Sequence, residues 1–122
     1  MASILIIGED PDLIDPKDAP PGVTPEQVHA GLDGSRDRLI AEGHDARILL
    51  TRDAATVEDQ VGAALGERRY DVVVIGAGLR TLPPMAEQFE RLINTLRRLA
   101  PDTAIAFNSS PADSDAAARR CL

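Results

Sequence analysis

The stretch DVVVIGAGLR, residues 71–80, decides the fold. Four consecutive apolar residues run from Val72 to Ile75 and end at a glycine. An apolar run of this length without polar alternation is typical of a strand that is buried on both faces, as in the middle of a parallel sheet. Glycine at its end lets the chain turn away or lets a ligand approach the backbone closely. The stretch therefore predicts a central parallel strand with a loop at its carboxyl end, where a ligand could approach the backbone.

Strand and helix patterns alternate along the rest of the chain. The other strand patterns are SILIIG (3–8), ARILLT (46–51) and TAIAFN (103–108). Helices are predicted to open with TPEQ (24–27) and with TVED (56–59), to run from near Pro84 to before Pro101, and to run from SPAD (110–113) to the end. This alternation predicts parallel strands joined by right-handed crossovers. We expect one α/β domain over residues 1–122, a three-layer sandwich with four helices and strand order 2-1-3-4 or, alternatively, 3-2-1-4.

Composition narrows the classes of partner and location. The net charge is −7, which repels phosphate backbones and anionic membrane surfaces. Tyr70, Phe89 and Phe107 are the only aromatic residues, too few for a base-stacking platform, so nucleic acid is not expected as a partner. MASILIIGED lacks the basic start and long apolar stretch of a signal peptide, and Cys121 has no internal disulfide partner. These features predict a cytoplasmic protein.

The glycines after the third strand do not form a dinucleotide-binding motif. That motif, G-x-G-x-x-G, would place a third glycine after Gly76 and Gly78 at position 81, where this chain has Thr81. The motif also follows the first strand of its fold, whereas Gly76 and Gly78 follow the third strand pattern. Two interpretations remain: the glycines ease the exit from the strand, or they let another small ligand approach the backbone.

Two segments carry a resemblance to a known family. ILIIGED (4–10) ends in the acidic pair Glu9 and Asp10, and LIAEGHDARILLTRDAATVEDQVGAALGERRYDVVVIG (39–76) has a helix, strand, helix, strand order. Over roughly residues 3–110 the chain resembles the receiver domain of two-component response regulators, which have a flavodoxin-like fold. The resemblance implies that the acidic pair helps to hold Mg²⁺.

The chain departs from that family at the positions that matter for phosphorylation. Gly76 stands where the resemblance places the phosphoacceptor aspartate, and the lysine-bearing fifth strand is missing. Ser109, or Asn108, stands for the hydroxyl residue that ends the fourth strand. The resemblance therefore implies a degenerate receiver-like domain that is not phosphorylated.

The predicted topology brings three loops to one rim of the sheet. Ligands of open parallel sheets bind outside the carboxyl ends of the strands, where the loops GEDPDLIDPKD, GAGLRTLPP and NSSPADS lie. The first loop is long and rich in proline, so we expect it to fold as a flap over the rim. The candidate ligand-binding residues of the rim are Glu9, Asp10, Asp12, Gly76, Gly78, Arg80, Asn108, Ser109 and Ser110.

Three arrangements of the charged rim residues remain open. Arg80, with the serines and a helix start, could clamp a small anion. Glu9, Asp10 and Asp12 could instead hold a hard cation such as Mg²⁺. In a purely structural alternative, Arg80 pairs with Glu9 or Asp10.

Two functions follow from these arrangements. The first is a non-enzymatic binding or interaction module, since no catalytic set is recognisable. The alternative is a small enzyme acting on an anionic metabolite, with Arg80 as substrate clamp and Asp10 or Glu9 as general base.

TAIAFN has no lysine or proline to protect a sheet edge, which predicts a homodimer through the fourth strand or fourth helix. Gly31 and Gly34 lie inside the first predicted helix, which indicates either close packing against another helix or chain or a helix that starts later.

Overall fold

The sheet has the predicted topology. The computed structural model describes residues 1–122, and its four parallel strands lie in the order β2-β1-β3-β4, which confirms the α/β class and the first of the two strand orders. The strands are β1 (Ser3–Glu9), β2 (Asp45–Thr51), β3 (Val72–Ile75) and β4 (Ala104–Phe107).

There are five α-helices, so the predicted count of four is wrong. They are α1 (Pro25–Ala41), α2 (Val57–Glu67), α3 (Ala77–Thr81), α4 (Ala86–Leu99) and α5 (Ser114–Arg119), with 3₁₀ turns at Pro11–Leu13, Pro83–Met85 and Pro111–Asp113. The additional helix is α3, in a segment predicted as loop. It ends because Leu82 precedes a proline, which disfavours helical backbone, and Leu82 is extended (φ −82°, ψ 121°). None of these helices combines the length and the apolarity that crossing a membrane requires.

Alternation of side chains along the strands divides the core into two layers. Ile4 and Ile6 of β1 pack with α1 and α5, whereas Leu5 and Ile7 pack with α2, α3 and α4. All four residues of β3 are fully buried, two on each face, as the unbroken apolar run predicts. The sheet is thus covered on both sides, and its polar residues are concentrated at the strand ends.

The start of α1 is fixed by a capping box beside the rim. Thr24 Oγ1 accepts a hydrogen bond from the Gln27 backbone N–H (3.2 Å), and Gln27 Oε1 accepts one from the Thr24 N–H (3.0 Å). Farther along, α1 packs so closely on the Pro111–Asp113 turn that a Cβ atom at Gly31 would lie 2.8 Å from Pro111 Cβ. This distance confirms close packing at Gly31, whereas a Cβ at Gly34 would meet only Arg38 Nη1 of the same helix (3.2 Å). Since α1 begins at Pro25, the alternative of a later helix start is wrong.

Candidate functional site

The exits of β1, β3 and β4 lie side by side. The backbone N–H of Gly76 donates to the Ile7 carbonyl (2.8 Å), and the N–H of Asn108 donates to the Ile75 carbonyl (3.4 Å). The three loops that follow these strands therefore share one rim, as the parallel topology predicts.

The loop after β1 folds over this rim as a flap, which we define as residues 10–24. Its first turn is held by Asp10, whose Oδ1 accepts a hydrogen bond from the Asp12 N–H (3.0 Å). Beneath the flap lies a cavity of about 290 Å³, here called the rim cavity. Its wall contains apolar side chains from the flap, from α1 and from around α3, among them Pro11, Ile14, Val23, Val28, Leu32 and Leu82.

Six of the nine predicted rim residues belong to the wall of the rim cavity: Glu9, Gly76, Gly78, Asn108, Ser109 and Ser110. Asp10, Asp12 and Arg80 do not. The wall contains no lysine, arginine or histidine, and Glu9 is its only ionisable residue. The rim cavity is therefore apolar and without a cationic side chain.

The guanidinium of Arg80 binds β4 and the loop after it. Its Nη2 donates to the Asn108 carbonyl, and its guanidinium carbon lies 4.7 Å from the centre of the Phe107 ring. No ion pair joins Arg80 to Glu9 or Asp10, so the structural alternative drawn from the sequence is wrong. Arg80 thus binds a backbone carbonyl and the face of an aromatic ring instead of the carboxylates that the sequence suggested.

Asn108 is a buried link between helices. It is 3% exposed, its Oδ1 accepts from the Ala77 N–H (2.8 Å), and its Nδ2 donates to Ser114 Oγ (2.9 Å). The side-chain amide thereby joins the start of α3 to the start of α5, and its polar atoms are used within the chain.

The backbone donors after β4 are also occupied. Asp113 Oδ1 accepts hydrogen bonds from the N–H groups of Ser109 (2.9 Å) and Ser110 (3.1 Å). A carboxylate thus fills the position in which the sequence places a bound anion. The anion clamp proposed for Arg80 and these serines is not assembled in this arrangement.

Glu9 turns away from the flap, toward α4. It is 6% exposed, and its Oε2 accepts a hydrogen bond from Thr51 Oγ1 (3.1 Å). Burial raises the pKa of Glu9 to about 7, although hydrogen bonding by Thr51 and Gln88 opposes the increase, and the charges of Asp10 and Asp53 add to it. A carboxyl group with a pKa near neutrality can exchange protons at physiological pH.

The acidic residues predicted to hold a cation separate in the structure. Glu9 is buried, whereas Asp10 and Asp12 lie with His29 so that one ligand atom of each is within 4.8 Å of the others. His29 Nε2 is 3.4 Å from Asp12 Oδ2. The Mg²⁺ set of Glu9, Asp10 and Asp12 is therefore not formed. The group that does form has one nitrogen and two oxygen donors, a mixture less suited to Mg²⁺ than an all-oxygen set.

Another polar cluster joins α1 to α5, with Asp115 and Ser35 buried and two arginines partly exposed. Asp115 Oδ2 lies 2.8 Å from both Arg38 Nε and Arg119 Nη2, and Asp115 Oδ1 accepts from Ser35 Oγ (3.3 Å). Hydrogen bonding by Arg38 is the main cause that holds the pKa of Asp115 well below its usual range. The cluster joins two pairs of residues, one in α1 and one in α5, that are 77 residues apart from Arg38 to Asp115, so no local pattern signals that they meet.

Comparison with known proteins adds evidence on the fold. No family model and no curated protein matches the chain. A crystal structure described as a "putative lipoprotein" fragment from Peptoclostridium difficile 630 is similar, with a TM-score of 0.57, 11% sequence identity, and coverage of 98% of this chain and 93% of that chain. At this identity the likeness shows that the two chains share a fold, over nearly the whole length of each.

Proposed function

We propose that the protein is a binding module whose rim cavity takes a small, uncharged and largely apolar molecule. The observation that carries the proposal is a cavity of about 290 Å³ beneath a folded flap, with an apolar wall and no cationic side chain. Divided by about 30 Å³ per water molecule, this volume corresponds to roughly ten waters. A pair of fused rings with a phenyl substituent fits such a space.

The surroundings of the rim cavity favour neutral ligands over anions. The flap carries Asp10, Asp12, Asp15 and Asp18 against a single cation, Lys17. An anion would lose its hydration on entry without gaining a charged partner. The alternative enzyme acting on an anionic metabolite would require Arg80 to leave the Asn108 carbonyl.

A matched pair of fluorescent probes tests the proposal. N-phenyl-1-naphthylamine is neutral, and 1-anilinonaphthalene-8-sulfonate has the same ring framework with a negative charge. The neutral probe should bind saturably with one site per chain, and the sulfonate much more weakly. Tighter binding of the sulfonate would contradict the proposal and favour an anion site.

Leucine substitutions at two glycines locate the bound probe. A Cβ at Gly78 would face the rim cavity near Leu82 Cδ1 (4.0 Å), so Gly78→Leu should occupy the space and abolish binding. Gly66→Leu is the matched control, because a Cβ at Gly66 meets nothing within 4 Å. Gly66 also lines a second cleft, at the amino end of the sheet. Loss of binding in Gly66→Leu alone would move the ligand to that cleft and refute the assignment.

A separate proposal concerns phosphorylation. Gly76 follows the last residue of β3, so no carboxylate stands there to accept a phosphoryl group. Incubation with acetyl phosphate and Mg²⁺ should leave the mass of the intact protein unchanged, and a gain of one phosphoryl group would contradict this expectation.

A further inference from the structure

We infer that the free edge of β4 pairs in an antiparallel manner with β4 of a second copy of this chain, with Ala106 of each copy at the two-fold axis. β4 is an outer strand of the sheet and contains no charged residue or proline. An outer strand without such protection is a template for pairing with another chain.

The backbone of β4 has donors and acceptors on its open side. The N–H groups of Ala104 (3.1 Å) and Asn108 (3.4 Å) donate to carbonyls on the β3 side. Because direction alternates along a strand, the N–H and carbonyl groups of Ile105 and Phe107 face outward. The Phe107 carbonyl accepts one hydrogen bond from Arg120 Nη2 (2.8 Å), and a carbonyl oxygen has room for a second.

The same two residues expose apolar side chains. Ile105 is 40% and Phe107 is 44% exposed, although their register partners on β3, Val73 and Ile75, are fully buried. The helices on this face cover β1 and β3 better than β4; Phe89 of α4 meets Phe107 only edge-on, with 6.5 Å between ring centres. Apolar side chains and unpaired backbone groups therefore coincide along one edge.

This edge is complementary to itself in one register. With Ala106 on the axis, Ile105 of each copy stands opposite Phe107 of the other, and the two outward-facing residues exchange both of their hydrogen bonds. The symmetry repeats the exchange, so four inter-chain hydrogen bonds form. Each isoleucine side chain then lies beside a phenylalanine of the other copy, a favourable aromatic and β-branched cross-strand pair.

Charges at the ends of β4 agree with the antiparallel direction. Arg120, which lies at the carboxyl end of β4, and Asp102, which precedes its amino end, are both exposed and have no ion pair within the chain. Antiparallel pairing carries Asp102 of the second copy toward the end at which Arg120 lies. The other outer strand, β2, contains Asp45 and Arg47, which hold ion pairs with each other and with neighbouring residues. Those charges oppose strand addition at β2.

The oligomeric state of matched lysine variants tests the inference. Sedimentation velocity over a dilution series of the full chain should show a dimer that dissociates on dilution. Ile105→Lys should be monomeric at every concentration, whereas Ile40→Lys, which places the same charge on the exposed side chain of Ile40 in α1, should behave like the parent. A monomeric parent at the highest soluble concentration, or dimers that persist in Ile105→Lys, would overturn the inference. Circular dichroism confirms that each variant is folded.

Disulfide trapping tests the register. In a Cys121→Ser background, Ile105→Cys and Phe107→Cys chains are mixed and oxidised. A hydrogen-bonded antiparallel pair has Cα atoms about 5.5 Å apart, within the range of a disulfide. The mixture should give disulfide-linked heterodimers in higher yield than either variant alone. A higher yield from Ile105→Cys alone, or dimers that do not cross-link, would refute the register.

Discussion

Replacement of Glu9 by glutamine should change how the free energy of unfolding depends on pH. Glu9 is a buried carboxyl group whose pKa is raised to about 7 from an ordinary value of 4.5, chiefly by burial. The folded state therefore binds this proton more tightly than the unfolded state does. The carboxyl group costs no stability below the unfolded pKa, and it costs progressively more as the pH rises from that value through the folded pKa.

The size of the effect follows from the two pKa values. Their difference of about 2.5, at about 1.4 kcal/mol per unit, corresponds to about 3 kcal/mol of lost stability at pH values above 7. Glutamine has nearly the same shape and no charge, and its amide oxygen can still accept the hydrogen bond from Thr51. We expect Glu9→Gln to match the parent near pH 4 and to be about 3 kcal/mol more stable near pH 8.

Urea unfolding followed by far-ultraviolet circular dichroism, at several pH values between these limits, measures the difference. Glu90→Gln is the matched control, because it makes the same substitution at an exposed position of α4. If the stabilities of Glu9→Gln and the parent ran parallel at all pH values, Glu9 would have the same pKa in the folded and unfolded states and the reasoning would fail.

Three further tests, with four substitutions, concern the contacts around the rim and between α1 and α5. Gly31→Ala should lower the free energy of unfolding by about 1–3 kcal/mol, because the new Cβ overlaps the neighbouring turn. Gly34→Ala meets only a flexible arginine and should raise it by up to about 1 kcal/mol. Equal effects of the two substitutions would refute the close packing at Gly31. Asp115→Asn should cost about 2 kcal/mol near pH 7, because it weakens charge-assisted hydrogen bonds from two partly exposed arginines. Since the aspartate pKa is lowered, this difference should shrink as the pH falls below about 4, and a difference independent of pH would contradict an ionised Asp115 in the folded state. Asn108→Ala should cost about 2 kcal/mol and speed hydrogen exchange at the Ala77 amide, and unchanged exchange there would contradict the role of the asparagine as a link.

The fold could be predicted because its signals are local or repeated. The apolar run of Val72–Ile75 identifies a strand buried on both faces, and Thr24 and Gln27 identify the start of α1. Alternation of strands and helices then fixes the parallel direction. The short helix α3 was not predicted, because five residues between a glycine and two prolines carry no apolar periodicity of their own.

The rim could be located from sequence, but the partners of its polar side chains could not. Alternation along β1 does contain one usable signal: Glu9 is two residues beyond Ile7 and so points to the same face, away from the flap. Arg80 and Asn108 form hydrogen bonds with backbone atoms of segments that are distant in sequence. Residue types alone do not reveal backbone partners, so polar groups that the sequence suggests for ligands are used instead to hold the rim together.

The rim cavity and the β4 edge share one structural element, α3. Ala77, at the start of α3, lies in the cavity wall and is bound by Asn108, the residue that follows β4. Arg80, near the end of α3, stacks on Phe107 of β4 itself. Under the two proposals, a molecule in the rim cavity contacts α3 at both ends, through Ala77 and Thr81. Pairing of β4 with a second copy acts on the residues that hold those ends. If a ligand in the cavity shifts α3, ligand binding alters the affinity of the chain for its second copy. Dimerisation then alters the affinity for the ligand by the same factor, because coupling between two binding equilibria is reciprocal.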